Sequence, residues 1–205
     1  MSVVHVIDTL TDWARQNVCE KIKLKVPPEN DLENDEGYAY KLATPAAFGM
    51  YTPTSEKLPP NIHSPFPSVC VRFTSGEDTP SENSGSLDVQ MCFSTWDTGL
   101  HGKDIYHVKG DKVAERWTGA EADAYFKRSG EGWRDAWNFV DIALRAIESA
   151  THIGGYTIDR ETPIKFGPLT EQEEIPDFYP FWFAWISFRV NYPLLRYSED
   201  IQIHL

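Results

Sequence analysis

Two histidines and three aspartates lie close together near the middle of the chain and could bind a metal ion. They are His101 and His107, with Asp97, Asp104 and Asp111 around them. Imidazole and carboxylate groups hold the metal ions that activate water for hydrolysis. However, this stretch has neither the HxH nor the HExxH spacing that lets two histidines reach one ion. A small metal-dependent hydrolase using His101 and His107 is therefore an alternative that the spacing does not favour.

The sequence lacks the other common catalytic patterns. It has no GxSxG motif for a serine nucleophile and no GxGxxG motif or P-loop for phosphates. Cys19, Cys70 and Cys92 are an odd, widely spaced set without a CxxC pair, so they predict reduced, inert thiols. We expect no enzyme activity, no cofactor and no metal site.

The composition points to an acidic protein rich in aromatic residues. The net charge is -12, and 13% of the residues are aromatic, including seven Trp. Because phosphate contacts need clustered Lys and Arg, sequence-specific DNA binding is not expected. Aromatic side chains supply area for cores and interfaces, although Trp96, Trp117 and Trp133 could instead serve a sugar-binding or peptide-binding module. No apolar stretch is long enough for a membrane span.

The first part of the chain predicts a helix followed by a strand. Apolar residues recur at helical spacing over residues 3–14, and residues 21–26 alternate strictly between lysine and aliphatic side chains. Such lysines commonly protect an edge strand from wrong pairing. Alternatively they meet acidic loops of a neighbouring subunit. The lysines concerned are Lys21, Lys23 and Lys25.

Two further alternations predict an antiparallel strand pair at residues 68–74 and 86–96. The polar connection 75–85 has no large apolar residue and predicts a mobile loop. Long excursions are expected at about residues 27–67 and 97–132 of a single domain, 1–205.

Weaker signals occur within these excursions. A short strand is predicted at residues 38–42, a hairpin from residues 105–108 and 113–117, and a short helix at residues 120–127.

The clearest helix covers residues 133–150, with an apolar arc wider than one sheet contact requires, and Gly154-Gly155 is expected to end it. After a possible short strand at 162–167 comes the closing strand, residues 181–190, which is apolar on both faces as far as Ile186. Such a strand is central under helices or lies against another chain. Its candidate interface residues are Phe181, Phe183 and Trp185.

Acidic runs form two loop segments. Carboxylates in such runs are commonly solvated, but they could also face DNA or a basic partner. The candidate residues are Glu29, Asp31, Glu33, Asp35, Glu36, Glu171, Glu173 and Glu174.

Together these elements predict an α+β fold, a mainly antiparallel sheet with an N-terminal helix and a long helix packed on one face. Their order resembles the tail terminator (tail completion) proteins of long-tailed bacteriophages. The resemblance is carried by residues 68–73, 87–96, 133–150 and 179–190, and the match as a whole covers about half of the chain.

The resemblance implies a structural virion protein that forms a hexameric ring, caps the tail tube, ends its growth and joins tail to head. It also implies contacts with the tail tube protein and head-tail connector proteins, DNA passing through the lumen, and assembly in the host cytoplasm. Another phage joining or tail protein is the alternative within this class.

Overall fold

The structure is a computed structural model that describes residues 3–28, 41–99, 106–109, 113–116, 132–171 and 174–194. Its two α-helices are α1, Val3–Asn17, and α2, Trp133–Ser149. The strands are β1 Leu24–Lys25, β2 Leu42–Ala43, β3 Ala46–Gly49, β4 Ser68–Thr79, β5 Ser84–Trp96, β6 Tyr106–Lys109, β7 Val113–Arg116, β8 His152–Ile153, β9 Tyr156–Ile158, β10 Lys165–Pro168 and β11 Phe181–Pro193.

Seven strands form one mixed sheet in the order β3-β4-β5-β11-β9-β8, with β10 also paired to β11. Among the described strands, only the β3–β4 pair is parallel. β11 is central, because it pairs with β5 along its whole length and with β10 and β9 on its other edge. The predicted mainly antiparallel sheet with an N-terminal helix is therefore confirmed.

The register aligns one inward-facing row across the three long strands. Val71, Met91 and Ile186 are directly opposite one another and are each fully buried. The buried sides of α1 and α2 belong to the same core cluster as this row. Because strand side chains alternate between faces, the neighbouring row, which includes Phe183 and Trp185, points away from that core.

An edge-to-face ring contact shows how α2 is held. Phe139 of α2 and Phe93 of β5 have no exposed surface, and their ring centroids are 5.0 Å apart. The amphipathic pattern that predicted α2 thus places its apolar stripe against the sheet.

The strand predicted at residues 21–26 is shorter than expected. Lys21 lies in a single 3-10 turn, Cys19–Lys21, whose backbone bonds run from Lys21 N to Val18 O and from Ile22 N to Cys19 O. Val18 and Cys19 are fully buried, so core packing turns the chain before β1 begins. The prediction that Lys21, Lys23 and Lys25 line one face of a strand was therefore wrong, because the strand contains only Leu24–Lys25.

The predicted loop 75–85 was also wrong, because most of it is strand. β4 continues to Thr79 and β5 starts at Ser84, with one 3-10 turn, Pro80–Glu82, between them. We call this extended end of β4 and β5 the β4–β5 arm. Its backbone groups pair between the two strands and with the C-terminal end of β11, so the arm forms without a set of apolar side chains of its own.

The Gly154-Gly155 pair does not end α2. Instead it forms the turn between β8 and β9, where Gly154 has a φ of +60° that suits glycine. The hairpin predicted from residues 105–108 and 113–117 is confirmed as the antiparallel pair of β6 and β7. The predicted helix at 120–127 and most of the predicted strand at 38–42 lie outside the described residues.

Candidate assembly surface

The three predicted interface aromatics of β11 are half-buried against their own chain. Phe66 packs on Phe181 and Phe183, with centroids 4.9 and 6.3 Å apart, and Phe178 meets Phe183 edge-on at 5.6 Å. The Nε1–H of Trp185 donates to the carbonyl of Pro168 at 2.9 Å. The chain itself therefore covers much of this row.

A larger exposed apolar surface lies beside that row, and we call it the aromatic patch. Six of the eleven large apolar side chains that are exposed among the described residues belong to it. Ile175 is 69% exposed and Tyr179 is 58% exposed. A cluster of this kind on a monomer is typical of an interaction site. Its members are Trp133, Phe166, Leu169, Ile175, Phe178 and Tyr179.

An open cavity of about 390 Å³ extends beneath the patch. Trp133 and Trp137 of α2 line one wall, and the segment from Ile175 to Phe178 lines another. Apolar walls dominate, so the cavity suits an apolar side chain better than a charged group.

Hydrogen bonds within the chain hold the patch segment in place. The Asp177 carboxylate accepts the backbone N–H of Tyr179 at 3.0 Å, and the Phe181 N–H donates to the carbonyl of Phe178 at 2.8 Å. The Tyr179 hydroxyl lies 3.2 Å from the carbonyl of Thr98. The segment that carries these exposed rings is therefore held in place by hydrogen bonds.

Acidic residues and one arginine lie beside the patch, since Asp177 lines its cavity and the Arg134 guanidinium lies 4.7 Å from the centroid of the Trp133 ring. Glu171 and Glu174 form an antiparallel β-bridge in which each backbone N–H donates to the other's carbonyl, at 2.8 and 2.9 Å. Both are exposed, and the whole stretch 166–188 contains four acidic residues and no Lys or Arg. Two predicted acidic residues, Glu171 and Glu174, are thus close in sequence to Leu169 and Ile175 of the patch. The others, Glu29, Asp31, Glu33, Asp35, Glu36 and Glu173, lie outside the described residues.

The predicted lysines do not share one surface. Lys21 and Lys23 are exposed, and Lys23 donates to the hydroxyl of Thr44. Lys25 turns inward, where its Nζ lies 2.6 Å from the Asp97 carboxylate. Lys25 thus has an internal structural role.

Asp97 is 3% exposed and connects several elements. Its carboxylate also accepts the N–H of Gly99 at 2.8 Å, and its carbonyl accepts the indole N–H of Trp182 at the same distance. A side chain at Gly132 would lie 2.4 Å from that carbonyl, so only glycine fits there. The cluster fixes β1, the end of β5, the start of α2 and β11 together.

Asp135, in the first turn of α2, belongs to the same cluster. Burial, followed by the negative charge of Asp97, raises the pKa of Asp135 to about 6, and Lys25 partly opposes this. When protonated, Asp135 donates its hydrogen bond to Asp97.

We expect Asp135→Asn to stabilise the protein at pH 7.5 by about 1–2 kcal/mol, with little effect below pH 4. Because the folded pKa is raised, ionisation of Asp135 in the unfolded chain but not in the fold removes stability between about pH 4 and pH 6. Asparagine keeps a donor for Asp97 without the charge. Urea unfolding of both proteins at pH 4, 5.5 and 7.5 measures this, and an equal difference at all three would contradict it.

A second groove lies at the β3 edge of the sheet, and Phe66, which packs on Phe181 and Phe183, also lines it. It has a volume of about 560 Å³, and Arg15, Lys41, Leu42 and Ile62 are among its lining residues. Lys23 reaches its rim through Thr44. Among the described residues that line this groove, Glu20 is the one acidic side chain, and Arg15 forms an ion pair with Asp12.

The three thiols are poorly suited to catalysis. Burial raises the pKa of Cys19 to about 12 and the pKa of Cys70 to about 11, and it also raises the pKa of Cys92. A thiol that stays protonated is a weak nucleophile.

The alternative sites receive no support from the described part of the chain. It contains no group of three or more His, Cys, Asp or Glu side chains placed to hold a metal. His101 lies outside it, and so does the side chain of His107. Of the proposed binding tryptophans, Trp96 is buried, Trp133 is exposed and Trp117 is not described.

Sequence reasoning missed the aromatic patch. The signal was the apolar Ile175, Phe178 and Tyr179 inside a proline-containing acidic segment, where neither helical nor strand spacing explains them. Apolar loop residues that follow neither helical nor strand spacing indicate an interface.

No protein-family model matches the chain, and no curated protein is detectably similar to it in sequence. Among the described residues, no helix is long and apolar enough to cross a membrane.

Proposed function

We propose that this chain is a structural, ring-forming virion protein, a tail terminator that caps the tail tube of a long-tailed bacteriophage and joins tail to head. The order of elements supports this. It runs from α1 through the β4–β5 pair and α2 to the aromatic strand β11, which is the order on which the resemblance rests. In this proposal α1 and α2 pack on one face of the sheet, leaving its edges for other subunits.

The aromatic patch is the observation that carries the proposal. Burying a large apolar side chain contributes about 1.5–3 kcal/mol, so leaving six of them exposed has a considerable energetic penalty. A binding partner that covers them removes this penalty. Self-association into a closed ring would cover the patch on every subunit.

The proposed partners follow from the same function. The chain forms a homo-hexamer, contacts the tail tube protein on one side and head-tail connector proteins on the other, and resides in the virion after assembly in the host cytoplasm. Its net charge of -12 suits a lumen through which DNA passes without being held, because like charges repel. The proposal includes neither enzyme activity nor a cofactor.

Sedimentation and negative-stain electron microscopy of the full chain, alone and mixed with purified tail tubes, test the proposal. We expect ring-shaped particles or density at tube ends, since the tube can act as the template for the ring. A protein that stays monomeric at high concentration and never binds tube ends would overturn the proposal.

A pair of matched variants connects this result to the patch. Ile175→Ser is expected to weaken assembly about tenfold or more, since the transfer free energy of one isoleucine side chain corresponds to at least that factor. Val4→Ser on α1 is the control, because Val4 is equally exposed, at 67% against 69%, but lies outside the patch. Equal loss of assembly in both variants would contradict a specific role of the patch.

A further inference from the structure

We propose that Cys70 and Cys92 are a redox pair, which an oxidising small-molecule disulfide converts into a disulfide bond between β4 and β5. This inference goes beyond the proposed function and stands without it, because it depends only on two neighbouring strands. It assigns a modification site to two thiols that are reduced in the structure.

The backbone places the two cysteines directly opposite each other. The antiparallel register of β4 and β5 aligns Cys70 with Cys92, within an unbroken run of pairs from Ser68–Ser94 to Phe73–Val89. Both side chains lie on the sheet face away from the core, because Val71 and Met91, one position along, belong to the core. Opposed residues of an antiparallel pair have Cα atoms about 4.5–5.5 Å apart, and a disulfide requires about 4.4–6.8 Å. The backbone therefore already has a suitable spacing.

The two thiols are near each other but have separate polar partners. The Cys92 Sγ lies 3.5 Å from the Oε1 of Gln90, and the Cys70 thiol is hydrogen-bonded to the Thr52 side chain. The negative charge of Cys92 contributes to the raised pKa of Cys70, as expected for neighbouring groups. Closing the bond requires both side chains to turn toward each other. Opposed Cβ atoms about 4.5–5.5 Å apart exceed the spacing of about 3.5–4.5 Å in a relaxed disulfide, so the bond is strained and easily reduced.

Cys92 is the thiol that an oxidant meets first. It is half-buried and lines an open cavity of about 370 Å³, whereas Cys70 is 7% exposed. Arg72 lines the same cavity and donates to the Oε1 of Gln90 at 2.9 and 2.6 Å. Burial raises the pKa of Cys92, and the positive charge of Arg72 opposes this. The accessible thiol thus has a cation beside it that favours its reactive thiolate.

The exchange takes two steps. The Cys92 thiolate attacks one sulfur of the small-molecule disulfide, which forms a mixed disulfide and releases one reagent thiolate. The Cys70 thiol then loses its proton and attacks the Cys92 sulfur, and the second reagent thiolate leaves. The two cysteines are thereby oxidised by two electrons, and the reagent is reduced to two thiols. Burial makes Cys70 a weak nucleophile, but its step is intramolecular and benefits from a high effective concentration.

The redox state of the surroundings decides whether the bond forms. A reducing cytoplasm keeps the pair reduced, and an oxidising medium outside a cell closes it. In the proposed function, a virion protein passes from the first environment to the second. The bond would then join β4 covalently to β5 after assembly is complete.

Oxidation of the full chain with glutathione disulfide, followed by alkylation, tryptic digestion and mass spectrometry, tests the inference. Cleavage after Arg72 separates the two cysteines, since Cys70 falls in peptide 58–72 and Cys92 in peptide 73–103. We expect these two peptides to be linked, with the loss of two hydrogen atoms, and to separate again after treatment with dithiothreitol. Cys19, in peptide 16–21, is expected to remain a thiol.

Three single variants separate the roles of the cysteines. Cys19→Ala is the control and is expected to give the same linked peptide as the wild type. Cys70→Ala is expected to accumulate the mixed disulfide on Cys92 at least about tenfold above the wild type, because the second step is missing. Cys92→Ala is expected to stay unmodified, since Cys70 is buried. Matching urea unfolding curves show that each variant is folded.

Two results would overturn the redox pair. One is a folded wild type that keeps both thiols under conditions in which the urea-unfolded chain reacts. The other is a wild type that accumulates the mixed disulfide, or disulfides between copies, in place of the link within one chain. Either result leaves the proposed ring function standing, because that function is tested by assembly.

Discussion

Lys25→Met is expected to lower the free energy of unfolding at pH 7 by about 3–5 kcal/mol, because it leaves a buried carboxylate without its cation. Asp97 is 3% exposed and its ion pair with Lys25 is 2.6 Å long. The nearby Asp135 adds a second acidic group. Urea unfolding followed by tryptophan fluorescence measures the loss.

Two comparisons separate this mechanism from simple loss of packing. Lys25→Met combined with Asp97→Asn is expected to recover part of the stability, since the buried charge is then absent. Lys21→Met, at an exposed lysine four residues earlier, is expected to change stability by about 0.5 kcal/mol or less. A deficit that is as large in the combined variant as in Lys25→Met would rule out the unpaired charge as its cause.

Phe139→Ala is expected to lower the free energy of unfolding by about 3–5 kcal/mol. Phe139 has no exposed surface, and it packs edge-on against Phe93 at 5.0 Å, so its loss leaves a cavity between α2 and β5. Assembly is expected to weaken as well, because the aromatic patch depends on the position of α2. Chemical denaturation with far-ultraviolet circular dichroism measures the change.

Asn138→Ala is the control for this variant, since Asn138 is the adjacent residue on the exposed side of α2. It is expected to change stability by no more than about 0.5 kcal/mol. Phe139→Leu should fall between the two, because leucine fills part of the cavity. Indistinguishable denaturation midpoints for wild type and Phe139→Ala would show that this contact does not hold α2.

Elements with a regular apolar spacing could be predicted from the sequence, because spacing records which side is buried. α2, β5 and β11 are of this kind. β3 could not be predicted, since Ala46–Gly49 is only four residues long and follows Pro45. Its strand conformation comes from pairing with β4 and from cover by α1, where Gly49 lies against Ile7. The extended β4–β5 arm was missed for a similar reason, because only backbone pairing defines it.

The candidate site was predicted less well than the fold, since its contacts join residues far apart in sequence. Alternation in β11 indicated two apolar faces, but Phe66, which covers one of them, lies more than one hundred residues earlier. Lys25 was assigned to an exposed lysine face, yet its partner Asp97 is 72 residues away. Spacing along a strand specifies a face, whereas the group that meets that face is determined by the tertiary fold.

The pairing of β11 also determines how the protein bears a mechanical load. All thirteen residues from Phe181 to Pro193 are in register with β5, and β10 and β9 hold the opposite edge. A pull along β11 from beyond Pro193 therefore stresses these backbone hydrogen bonds in shear, many at once. A pull across the strand would instead break them one after another, as in a zipper. Resistance to force is consequently directional, and it is greatest along the axis of the closing strand.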